Sequence, residues 1–124
     1  MIDLIKEMFV APDAQVSAYS WLATYGGHFA IGVVIMSGIL CLPRTSPKRL
    51  PAILTAAYGL FWEGLQWFFY SADITDCLVD TIAVGSGVFV AGAMWRRRTK
   101  LLCSVLVIYT TVAVWGVQAR KETQ

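Results

Sequence analysis

The chain has 124 residues, 57% of them hydrophobic and only 15% charged, with a mean hydropathy of +0.62. A soluble domain of this length carries about 25% charged residues, so the balance argues against a water-soluble fold and for a membrane protein. The net charge of +2 says little, because the charges are segregated along the chain. No phosphate-binding glycine loop, nucleophile elbow or Walker-type lysine is present. The basic clusters fit membrane topology and anionic lipid better than nucleic acid, which is not expected as a partner.

In chain order, Met1–Val10 places Ile2, Ile5, Met8 and Phe9 at helical spacing, with Asp3, Lys6 and Glu7 between them. That pattern predicts a short amphipathic helix in the membrane interface or a frayed terminus, and no cleavable signal peptide is expected. A hydrocarbon core of about 30 Å needs roughly 20 mostly apolar residues to cross it. Four stretches qualify: 22–42, 51–71, 75–95 and 101–117. Between them lie only Pro43–Leu50, Ala72–Ile74 and Arg96–Lys100. Connections this short make neighbours antiparallel. The expected fold is a single all-α membrane domain over 1–124, a four-transmembrane-helix antiparallel bundle.

Basic residues set the expected orientation. Seven of the ten (Arg44, Lys48, Arg49, Arg96, Arg97, Arg98 and Lys100) fall in the first and third connections, which hold no acidic residue. The positive-inside rule then places loops 43–50 and 96–100 in the cytoplasm and both termini outside, as in a multi-pass protein of a bacterial inner membrane. Trp21, Trp67, Tyr70 and Trp95 lie near predicted span ends, as interfacial aromatics do. Ala83, Gly87 and Ala91 repeat every fourth residue, a spacing that lets another helix backbone approach closely. Cys41, Cys77 and Cys103 lie in apolar runs without metal-ligand spacing and are expected to act as small packing residues.

Ionisable groups inside a span cost at least about 2.5 kcal/mol each, so those present mark a candidate site. The first span holds His28, the second Glu63 and Gln66, and the third Asp80, with Asp73 and Asp76 just before it. At 1.5 Å per residue, the depths from the outer side are about 9 Å for His28, 12 Å for Glu63 and 7 Å for Gln66 and Asp80. Three helices thus place polar groups in one outer layer. The spacings Glu63/Gln66 and Asp76/Asp80 put each pair on one helix face. Such a cluster can bind a divalent cation through nitrogen and oxygen, exchange protons, or grip a polar headgroup. The plainer alternative is that these groups hydrogen-bond one another and fix helix register, at about 0.6 kcal/mol per bond. No cofactor is expected, since no dense ligand motif such as paired histidines occurs; the divalent cation is a subordinate option.

The stretches His28-Phe-Ala-Ile-Gly32, Glu63-Gly-Leu-Gln66 and Asp73-Ile-Thr-Asp76-Cys-Leu-Val-Asp80-Thr-Ile-Ala-Val-Gly-Ser-Gly87 resemble the VanZ-like membrane proteins and the related YjdF-type inner membrane proteins. The resemblance runs over roughly 27–92. It departs from the VanZ-like pattern at Asp80, where Asn is usual, at Ala83, where Gly is usual, and in lacking an arginine before Asp76. It implies a small inner membrane protein acting at the outer surface. VanZ-like proteins are associated with glycopeptide resistance, without an established reaction.

The function expected from these residues is an outward-facing polar intramembrane site that binds or modifies a lipid-linked or envelope headgroup. Glu63 and Asp80 would accept protons or a cation, His28 relay and Gln66 orient. Membrane lipids are the expected partners, and a homo-oligomer is compatible. The alternatives are a holin-like pore-forming lysis protein, with the polar residues lining its lumen, and a structural subunit of a membrane complex.

Overall fold

The computed structural model describes residues 17–43, 48–70 and 72–121, and among these the chain is helical with no strand. The amphipathic segment expected over Met1–Val10 lies outside the described residues. Helix α1 spans Ala18–Leu40, α2 Leu50–Ala57, α3 Gly64–Tyr70, α4 Ile74–Trp95 and α5 Thr99–Lys121. A π-helical stretch, Tyr58–Glu63, joins α2 to α3, so helical backbone continues from Leu50 to Tyr70. Three helices (α1, α4 and α5) are each long and apolar enough to cross a membrane.

Local chemistry explains the helix ends. Ser17 caps α1, its side chain accepting from the Ser20 amide, which starts the helix four residues before the apolar run. Pro51 occupies the first turn of α2, where its missing N–H costs nothing. Asp73 caps α4 by accepting from the Thr75 amide at 3.2 Å. At the other end of α4, the amides of Arg97 and Arg98 return to the carbonyls of Met94 and Ala93. This closing motif needs a left-handed residue, and Arg97 supplies it at φ 52° where glycine is usual.

Helix α4 is the hub. Twelve of its 22 residues are buried, whereas α5 buries only Gly116, so the other helices pack around α4. Contacts down α2 and the π stretch run against its direction: Pro51 at Gly92, Thr55 at Gly85, Gly59 at Thr81, and the Glu63 carbonyl at the Cys77 thiol. Along α1 they run with it, from His28 at Asp80 through Gly32 at Val84 to Met36 at Gly92. Helices α1 and α4 are therefore parallel, and the Leu50–Tyr70 rod is antiparallel to both.

The expected small-residue stripe is where α1 and α4 touch. Gly87 packs against the backbone of Phe29 and Val33, and Gly32 against the backbone of Val84 and Val88. Ala83 and Ala91 are buried beside them. One cluster around Met36, Leu40, Val84, Val88 and Ala91 fills one end of the bundle, and another around Trp21, Tyr25, Val79 and Ala83 fills the other.

Two sequence expectations are corrected. Trp21 is buried rather than interfacial, because it stacks on Tyr25 at 5.1 Å, receives Gly116 against its ring and lies under the Arg120 guanidinium at 4.7 Å. Trp67, Tyr70 and Trp95 are exposed. Of the cysteines only Cys77 is buried; Cys41 and Cys103 lie on the outer surface of their helices.

Tyr25 continues the stack onto Tyr109 at 4.8 Å and donates its hydroxyl to the Tyr109 carbonyl at 3.3 Å. Tyr25→Phe keeps the stack and loses one neutral hydrogen bond. It should therefore cost about 0.5–1.5 kcal/mol, read as a small drop in thermal unfolding temperature in detergent.

Candidate functional site

Three of the six sequence-predicted site residues come together. His28 from α1, Glu63 from the end of the π stretch and Asp80 from α4 each offer a nitrogen or oxygen within 4.8 Å of the others. The His28 Nδ1 lies 3.5 Å from Asp80 Oδ1 and 3.0 Å from the Thr24 carbonyl oxygen. A carbonyl can only accept, so the Thr24 contact places a proton on Nδ1.

Each helix delivers its residue for a local reason. The parallel α1–α4 crossing, made close by Gly32 and Gly87, brings His28 and Asp80 to one level. The π stretch widens the Leu50–Tyr70 rod, as its i→i+5 bond from the Gly64 amide to the Gly59 carbonyl records. Gly59 admits Thr81 there, Gly85 admits Thr55, and this paired fit holds Glu63 against α4.

The environments differ sharply. His28 and Asp80 are about one-fifth exposed, whereas Glu63 is 3% exposed. Neither carboxylate oxygen of Glu63 finds a hydrogen-bond partner. The Tyr58 hydroxyl and Cys77 thiol lie near enough to act on that carboxyl as hydrogen-bond donors, but neither closes a bond of strict geometry onto it. The thiol instead donates to the Glu63 backbone carbonyl at 3.7 Å. Among the described residues, no Lys or Arg pairs with Glu63 or Asp80.

The other three candidates fall outside the group. Asp73 is exposed and serves as the α4 cap. Asp76 lies one turn outward from Asp80, close enough to act electrostatically on both Asp80 and Arg120. Gln66, half-buried, is one turn beyond Glu63, and its backbone carbonyl accepts from the Ala72 amide at 3.4 Å.

Glu63 also lines an open groove of about 550 Å³ between α4 and the Leu50–Tyr70 rod. From Trp67 to Ala52 at 1.5 Å per residue, the groove is about 22 Å long. Ala56, Leu60, Leu78 and Phe89 give it an apolar wall. The hydroxyls of Thr55 and Thr81 are turned back onto the carbonyls of Pro51 and Cys77, each at 2.8 Å, which removes them as polar intrusions. Sequence reasoning missed this groove. Its signal was the pairing of Thr55 with Gly85 and of Gly59 with Thr81, which is legible only once the helix register is known.

No protein-family model, curated protein or solved structure matches this chain.

Proposed function

We propose that this chain is a four-span protein of the bacterial inner membrane that binds a membrane amphiphile. The polar head engages His28, Glu63 and Asp80 near the extracytoplasmic surface, and the apolar chain lies in the groove between α4 and the Leu50–Tyr70 rod. In this reading the rod is the fourth span, its 21 residues being about 32 Å long. Loops 43–50 and 96–100 face the cytoplasm, and the ends of α1 and α5 near Trp21 and Arg120 face outward. VanZ-like and YjdF-type proteins are the family class that this reading favours.

One observation carries the proposal: Glu63, whose buried carboxyl makes no hydrogen bond of good geometry, belongs both to the polar cluster and to the lining of the apolar groove. An uncompensated buried carboxylate is costly, so a site that keeps one has a use for it. An amphiphile offers a polar group to Glu63 and a chain to the wall beneath it.

Ala56 is exposed on the groove wall, so Ala56→Phe would fill the groove without touching the cluster. The test is native mass spectrometry of chains extracted with their surrounding lipid. The parent chain should carry a lipid-sized adduct that falls to background in Ala56→Phe and in Glu63→Gln. An adduct retained equally by all three would overturn the reading.

A further inference from the structure

We infer that His28, Glu63 and Asp80 hold a divalent cation of the zinc–manganese class, with at least one coordination position left for an outside ligand. The cation site stands on the three side chains alone. Only the identity of the outside ligand, a headgroup oxygen, rests on the amphiphile reading.

Charge supplies the first argument. Two carboxyl groups and an imidazole face one another inside an apolar bundle, with no Lys or Arg pairing either acid among the described residues. Buried charges are tolerated when they are paired or coordinate a metal. A divalent cation would pair with both acids at once and give the buried Glu63 oxygens a ligand of good geometry. It also removes an obstacle to headgroup binding, because two bare carboxylates would repel a phosphate, whereas a cation between them attracts one.

Geometry supplies the second. Three atoms no more than 4.8 Å apart share a point within about 2.8 Å of each, and zinc–oxygen and zinc–nitrogen bonds run about 2.0–2.2 Å. Closing that difference takes under about 1 Å per side chain, within a rotation of Glu63 and Asp80. One nitrogen and two carboxylate oxygens suit zinc or manganese better than copper(I), which prefers sulfur. The nearby Cys77 thiol is turned to the Glu63 carbonyl.

The third argument is the support behind the imidazole. Metal-bound histidines usually donate their other ring N–H to a carbonyl or carboxylate, which fixes the tautomer. The Thr24 carbonyl, 3.0 Å from Nδ1, is placed to accept that proton when Nε2 serves as the ligand nitrogen. Three protein ligands with an open position match a binding or catalytic site rather than a closed structural one.

The test uses the full chain in lipid nanodiscs, stripped with a chelator and titrated with Zn²⁺ and Mn²⁺ by calorimetry, with Co²⁺ absorption as a geometric readout. One ion should bind per parent chain. Changes behind a ligand alone weaken metal affinity roughly 10- to 100-fold, so His28→Ala, Glu63→Gln and Asp80→Asn should each lose about 100-fold or more. Asp76→Asn, one turn away, should bind as the parent does, and unchanged helical content in every variant separates ligand loss from unfolding. Absence of stoichiometric binding by the folded parent, or binding that survives all three ligand changes, overturns the inference. Lipid adducts recorded on the same samples separate the two proposals. Lipid lost in Ala56→Phe without any metal binding overturns the cation alone, and metal binding with lipid indifferent to Ala56→Phe overturns the amphiphile reading alone.

Discussion

Adding one methyl group at Gly32 or Gly87 should break the centre of the bundle, whereas the same methyl at Gly27 or Gly38 should strengthen it. A Cβ at Gly32 would run into the Val84 carbonyl, and one at Gly87 into the Phe29 carbonyl. Both obstacles are backbone, so no rotamer change relieves them. The helices must separate, which pulls His28 from Asp80. Overpacking a core typically costs about 1–3 kcal/mol, and a backbone collision belongs at or above the top of that range. Gly27 and Gly38 have nothing within 4 Å of an added Cβ, so Ala there gains about 0.5–1 kcal/mol of helix propensity. Thermal unfolding of the four variants in one detergent checks this. Equal behaviour of the four would mean that the close α1–α4 crossing is absent.

Glu63→Met should give a chain that is more stable than its parent when metal-free, yet deficient in binding. The glutamate is 3% exposed and neither oxygen closes a hydrogen bond of good geometry, so the parent bears much of its desolvation cost. Exchanging buried ionic groups for apolar ones of similar volume is neutral or stabilising, by about 1–4 kcal/mol. The rise should show as a higher unfolding temperature in chelator-treated protein, together with loss of the lipid adduct. A structural glutamate would behave oppositely, because removing a bonded partner leaves another group unsatisfied. A fall in stability for Glu63→Met would therefore assign this residue to the scaffold.

Much of this architecture was legible from hydropathy, because a helix that must satisfy its own backbone in lipid leaves a long apolar run. The run 75–95 became Ile74–Trp95, and 101–117 became Thr99–Lys121. The first helix began earlier than its apolar run because the Ser17 cap lies among polar residues that hydropathy discounts. The stretch 51–71 was legible as helix but not as three segments, since a π stretch leaves no mark on composition.

The site was legible in part for a similar reason. Similar depth on separate helices pointed to His28, Glu63, Gln66 and Asp80, and the structure brings all but Gln66 together. Depth alone could not discriminate Asp73, whose place before a helix made it a cap, or Asp76, one turn too far out. Rotation about each helix axis decides which side chains converge, and sequence spacing gives that only relative to neighbours on the same helix. The same limit hid the burial of Trp21, which depends on Gly116 from the far end of the chain.

The central claim is that an imidazole and two carboxyl groups from three helices share one pocket. His28 is the sole histidine, so ring ¹⁵N labelling gives a single probe for solid-state NMR in lipid bilayers. With carboxyl ¹³C placed in glutamate and in aspartate separately, the His28 nitrogen should couple through space to both labels. The first coupling should vanish in Glu63→Gln and the second in Asp80→Asn. A His28 nitrogen coupled to neither label would contradict the account.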